Sequence, residues 1–115
     1  MSETVALIMK RKVLAQSLMR LTREEKGIQM YFQPDYADAD VVIRGCGASC
    51  ALIEVAESGE YDVAYCLALC AWLKKETPAC KLLLLCPEND EECISEVVTA
   101  KRAGKIDDFM FYDTS

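Results

Sequence analysis

The chain has 115 residues, 28% of them charged and 52% apolar, with seven cysteines, no histidine and a formal net charge of −6. A single domain of this size buries roughly two thirds of the surface its unfolded chain exposes, so it folds without help from disulfides or metal. The missing histidine excludes Ser-His-Asp and Cys-His catalysis within the chain and every His-ligated metal or haem site.

Residues 5–9 (VALIM) have the pattern of a buried strand and are too short for a helix. Over residues 11–26, Leu14, Leu18 and Leu21 recur at i, i+4 and i+7 with charges opposite, predicting a helix that Gly27 stops. Residues 28–32 (IQMYF) alternate as a strand does, and residues 41–44 offer a second short strand. Residues 48–58 read as a helix with Leu52, Val55 and Ala56 inward, ended by Ser58-Gly59. Residues 62–66 are strand-like and residues 67–75 helical, closed by Thr77-Pro78. The continuous apolar run at residues 82–86, within KLLLLC, fits a central parallel strand buried on both faces. Asn89 is placed to cap the next helix, with Glu92 as its capping-box partner. Cys93, Val97 and Ala100 form the inner stripe of that helix, Ile94 and Val98 flank it, and Ala103-Gly104 stops it. Residues 106–112 (IDDFMFY) are the last strand. Short apolar runs alternating with helical periods predict an α/β domain with a parallel sheet, one unit over residues 1–115 without linker or repeat.

The apolar N-terminal stretch precedes its basic residues, the reverse of a secretory signal, and no run approaches the ~18 apolar residues of a membrane span. A cytoplasmic location with reduced thiols is expected, and an odd cysteine count forbids complete pairing. Residues 1–33 hold six Lys/Arg against three Asp/Glu, leaving +3, whereas the remainder holds seven against sixteen, leaving −9. The acidic majority disfavours a nucleic-acid surface. The basic cluster of Lys10, Arg11, Lys12, Arg20, Arg23 and Lys26 reads as a solvated helix face.

The pairs Cys46/Cys50 and Cys66/Cys70 share a C-x-x-x-C spacing that on a helix puts both thiols on one face. Four thiolates can hold zinc or an iron–sulfur cluster, or sense oxidants, but the spacing departs from the usual C-x₂-C knuckle. Small buried hydrophobes are the favoured reading, with no metal or cofactor expected. In residues 41–50 (VVIRGCGASC) a strand leads to a Gly-flanked Cys46 at an expected helix start, where backbone amides activate a thiol and cradle phosphate. This resembles the phosphocysteine loop of phosphotransferase-system IIB domains, and implies Cys46 as the nucleophile of a small phosphocarrier. In that family the loop follows the first strand, and here it follows a later one.

Residues 71–112, AWLKKETPACKLLLLCPENDEECISEVVTAKRAGKIDDFMFY, carry a second resemblance. A Lys-rich, Pro-terminated helix end, an apolar strand, an acidic-capped helix ending in Ala-Gly and a strand opening on Asp107-Asp108-Phe109 are similar to the second half of a response-regulator receiver domain. Residues 5–26 resemble the first strand and helix of that family, and residues 33–66 fit it poorly. The resemblance implies a flavodoxin-like, doubly wound parallel sheet of five strands in order 2-1-3-4-5 with helices on both faces. One extra or displaced strand is expected between residues 28 and 45, and the terminal helix of the family is missing.

Receivers hold Mg²⁺ with an acidic pair after the first strand, because a hard cation takes carboxylate oxygens; the matching residues are Lys10 and Arg11. Cys66 or Leu67 falls where the phospho-accepting Asp ends the third strand, Cys86 replaces the Thr or Ser of the fourth, and Tyr112 the Lys of the fifth. These departures imply a non-phosphorylatable pseudo-receiver. It would be no enzyme but an interaction or dimerisation module of a bacterial signal-transduction or transcriptional regulator in a two-component system. Its partner is a protein or a second copy, met through the flank around Phe109, Met110 and Phe111. Membrane and direct DNA contacts are not expected of this domain; were the native chain to continue past Ser115, an effector domain there could bind DNA.

Overall fold

A computed structural model describes residues 3–25 and 27–113. The strands β1 (Glu3–Ile8), β2 (Ile28–Gln33), β3 (Cys50–Glu54), β4 (Lys81–Pro87) and β5 (Asp108–Tyr112) form one sheet in the order β2-β1-β3-β4-β5. Every neighbouring pair is parallel. Helices α1 (Lys12–Thr22), α2 (Ala39–Cys46), α3 (Val63–Glu76) and α4 (Glu91–Arg102) make the crossovers. The two-residue alternation of a strand splits the core between the faces. Ala6, Ile8, Ala51, Ile53, Leu82, Leu84 and Cys86 pack against α2, α3 and α4. Leu7, Met9, Leu52 and Leu85 pack against the α1 side, where Ala15 is buried. The flavodoxin-like, doubly wound order predicted from the sequence is the order observed, with β5 the last described element.

Three segments between residues 28 and 66 differ from expectation. Residues 41–44 lie within α2 and form no strand. Their β-branched side chains favour strands, but tertiary context decides: Ala39 and Ile43 are buried at helical spacing, Val41 points to solvent, and Asp40 pairs with Arg44 one turn on. Gly47, with φ +65°, ends the helix in the left-handed region. No strand other than β2 therefore lies between residues 28 and 45, and β2 is one of the two edge strands.

The core of the expected helix at residues 48–58 is instead β3, at the centre of the sheet. A strand covered on both faces is apolar throughout and carries no period to distinguish it from a helix. Residues 62–66 open α3, because the Asp62 side chain accepts the N–H of Tyr65 at 2.9 Å and caps the helix. In α4 the cap is Asp90, one residue past Asn89, and it accepts the N–H of Cys93 at 3.0 Å. Cys93, Val97 and Ala100 face the core as expected. Helix α1 ends at Thr22, short of the predicted residue 26, and Leu21 is 76% exposed, so its inner stripe stops at Leu18. Lys26 lies outside the described residues.

Candidate functional site

Doubly wound sheets open a crevice beyond the C-terminal ends of the strands, where successive crossovers leave for opposite faces. Here that point falls between β1, which feeds α1, and β3, which feeds α3. Glu54, the last residue of β3, occupies it and is only 2% exposed. A buried carboxylate survives only with compensating donors, and Glu54 has three. Its Oε1 accepts the backbone N–H groups of Lys10 at 2.8 Å and Arg11 at 3.1 Å. Its Oε2 is paired with the Nε–H of Arg11. The Arg11 guanidinium in turn lies over the Tyr112 ring, 4.2 Å from its centroid.

Tyrosines close the surroundings. Tyr36, fully buried, donates its hydroxyl to the Glu54 carbonyl at 2.6 Å, and Tyr112 donates to the Val55 carbonyl at 2.8 Å. Tyr61 stacks on Tyr36 with centroids 4.0 Å apart, Tyr65 meets both rings edge-on, and Lys10 Nζ stands 5.6 Å from the Tyr61 ring centre. Burial, then the charges of Cys66 and Glu54, push the Tyr36 hydroxyl far above its ordinary value. Burial also pushes Tyr112 up to about 12. Both hydroxyls therefore remain proton donors at neutral pH.

Of the residues expected at the strand ends, Lys10, Arg11 and Tyr112 converge on Glu54. Cys86 is fully buried near the end of β4. Cys66 and Leu67 do not end the third strand; both lie in α3, because that strand is residues 50–54. Cys66 still approaches the site, its S–H directed at the Glu54 carbonyl at 3.7 Å, whereas Leu67 lines the groove between α3 and α4 with Ala68, Ser95 and Thr99. The third-strand position that the resemblance gives to the phospho-accepting Asp belongs to Glu54. Its only sequence signal was an acid directly after the apolar run of residues 51–53. Tyr36, set in a 3-10 turn at Tyr36–Asp38, was also missed.

Cys46 is the last residue of α2, not the first residue of a helix. A helix C-terminus presents carbonyls instead of amides, so the expected phosphate cradle is absent there. Cys66 and Cys70 do share a helix, whereas Cys46 and Cys50 straddle α2 and β3. The donor set does not fit the Mg²⁺ that the resemblance implies. Two cationic residues follow β1, both oxygens of Glu54 are engaged, and no group of three His, Cys, Asp or Glu among the described residues is placed to hold a metal. On β5, Met110 is 43% and Phe111 44% exposed, while Phe109 packs partly under the core and meets Phe111 edge-on.

No family model matches the sequence, and no curated protein matches it. Solved structures do. A LuxR-family DNA-binding response regulator from Staphylococcus aureus superposes with a TM-score of 0.71 at 12% identity, over 95% of this chain and 85% of that one. A response regulator from Thermotoga maritima gives 0.72 at 18% identity, over 96% and 85%. The orphan response regulator HP1043 of H. pylori gives 0.72 at 18%, over 96% and 82%. At these identities the likeness is one of architecture, and the chain has the fold of response-regulator receiver domains, with Glu54 and Arg11 paired at its strand ends.

Proposed function

We propose that the chain is a cytoplasmic signalling module that keeps the receiver fold without phosphoryl transfer, and works by protein–protein interaction or self-association within a bacterial regulator. The observation that carries this reading is the Arg11–Glu54 pair. To accept a phosphoryl group, a carboxylate needs a free oxygen and a cation bridging it to the incoming phosphate. Glu54 has both oxygens engaged, and the neighbouring cation is a tethered guanidinium. Attack would first have to break this pair and leave the carboxylate buried with fewer donors, a cost absent from an open site.

Incubation of the whole chain with acetyl phosphate and Mg²⁺, followed by intact mass measurement, tests the reading. The expected result is an unchanged mass. A stable adduct, mapped to Glu54 or any other side chain, would overturn it.

A further inference from the structure

Strands of a parallel sheet are ordinarily covered on both faces, and here the β4–β5 half is open on one of them. The row Ile8, Ile53 and Leu84, which faces α2, α3 and α4, is fully buried. On the α1 face the neighbouring row loses cover from strand to strand: Leu7 is fully buried, Leu52 7% exposed, Leu83 half-buried and Asp108 exposed. Met110, paired with Leu85 on that face, is exposed as well.

Helix α1 forms one wall of this open strip. Leu14 packs in the cluster that holds Leu83 and Tyr112, and the Arg11 guanidinium over the Tyr112 ring ties the start of α1 to β5. A groove of about 530 Å³ runs along the helix, lined by Arg11, Lys12, Val13, Leu14 and Ser17. Val13, Ser17 and Leu21 recur every four residues on one line, with Leu14 beside it. Val13 and Leu21 are each 76% exposed, so the apolar wall continues along the helix.

Charge selects the occupant. Five Lys/Arg and no Asp/Glu lie between residues 4 and 23. Lys12, Arg20 and Arg23 form no salt bridge among the described residues. The acids on this face of β3 and β5, Glu54 and Asp108, are already held by Arg11 and Lys101. A second copy offering the same helix would set these cations against their own kind, which disfavours the contact. A flat anionic membrane would meet the outer side of α1 and leave Leu83 and Met110 uncovered. We infer that the groove receives an acidic amphipathic helix of a partner protein, its apolar stripe laid on Val13, Leu14, Leu83 and Met110 and its carboxylates facing Lys12, Arg20 and Arg23. This names the partner class for the interaction role proposed above, and rests on that role. A helix of about 14 residues spans about 21 Å, close to the length of the seven-residue β4.

The test titrates the full chain into a fluorescent synthetic helix of about 14 residues with leucines on one face and glutamates on both flanks, followed by anisotropy. Saturable binding is expected, weakening about tenfold between about 0.05 and 0.5 M salt, with amide shifts at Leu14, Ser17 and Leu83. The double variant Val13→Ser, Leu21→Ser alters only exposed positions and should bind about tenfold more weakly. Lys12→Glu with Arg20→Glu should lose the glutamate helix and gain its lysine counterpart. No saturable binding, equal affinity of the wild type for the lysine helix, or wild-type affinity in both double variants with native circular dichroism would each overturn the inference. So would tighter binding to phosphatidylglycerol vesicles that the helix does not displace. An acetyl phosphate adduct with helix binding intact would strike only the reading above; absent binding without an adduct would strike only this inference.

Discussion

Asp107 holds both backbone polar groups of Leu82 in β4. Its N–H donates to the Leu82 carbonyl at 2.9 Å, and its Oδ2 accepts the Leu82 N–H at 2.8 Å and the Lys74 ammonium at 3.3 Å. The backbone hydrogen bond from Leu82 is the largest cause of a carboxyl held below its ordinary value of 3.8, with Lys74 assisting. Because the folded value is depressed, the stabilisation is fully present above the unfolded value and disappears as pH falls through the lower, folded one. Asp107→Ala is therefore expected to cost about 1 kcal/mol at pH 7. That is somewhat below the ~1.5–3 kcal/mol of a hydrogen bond to a charged group, because the side chain is 37% exposed and screened by solvent. Urea denaturation at pH 7 and again below pH 3 checks this; the difference from wild type should shrink at the lower pH. A difference that persists would mean that packing, not charge, is what the alanine removes.

At the scale of elements, the placement of β3 at the sheet's centre has a kinetic signature. Amides of residues 51–54 lie between β1 and β4 and are covered on both faces. In native-state hydrogen exchange they should be among the slowest in the chain, slower than those of α2, whose outer face carries exposed Val41 and Arg44. The reverse order would sink the topology. The same two segments mark where the sequence was hard to read. β4 was legible because KLLLLC is too apolar for a surface helix, and α4 because Cys93, Val97 and Ala100 keep one face. Residues 41–44 and 50–54 are both short apolar runs, and only the neighbours each acquires in the fold assign one to a helix and the other to a strand. The site inherited that error. Lys10, Arg11, Cys86 and Tyr112 could be placed because the ends of β1, β4 and β5 were visible in the sequence. Glu54 could not, because its strand is apolar on both faces and its pattern does not separate it from a helix.

For the whole molecule, the distribution of helices matters most. Of the helices among the described residues, three pack on one face of the sheet and α1 on the other, where Met110 and the 76%-exposed Val13 remain open to solvent. Phe111, paired with Cys86, is exposed on the opposite face, so β5 leaves apolar surface on both faces of this edge of the sheet, the kind of surface a second copy or another protein covers. Light scattering is expected to return twice the chain mass, and Phe111→Asp to return a monomer that keeps its fold by circular dichroism. A wild-type monomer at all concentrations would remove self-association from the proposed role.

The sheet order also converts a bias along the chain into a bias across space. β1, α1 and β2 come from residues 1–33, and α2 packs on β1 and β2 beside them, so residues 1–46, with a net charge of +1, form one side of the molecule; residues 47–115, which supply β3, β4, β5, α3 and α4, carry −7. The molecule is thus an electric dipole lying in the plane of the sheet and across the strands. A charged partner approaching within a Debye length, about 8 Å at physiological salt, meets a torque before it meets a side chain, and is presented to one sheet edge in preference to the other.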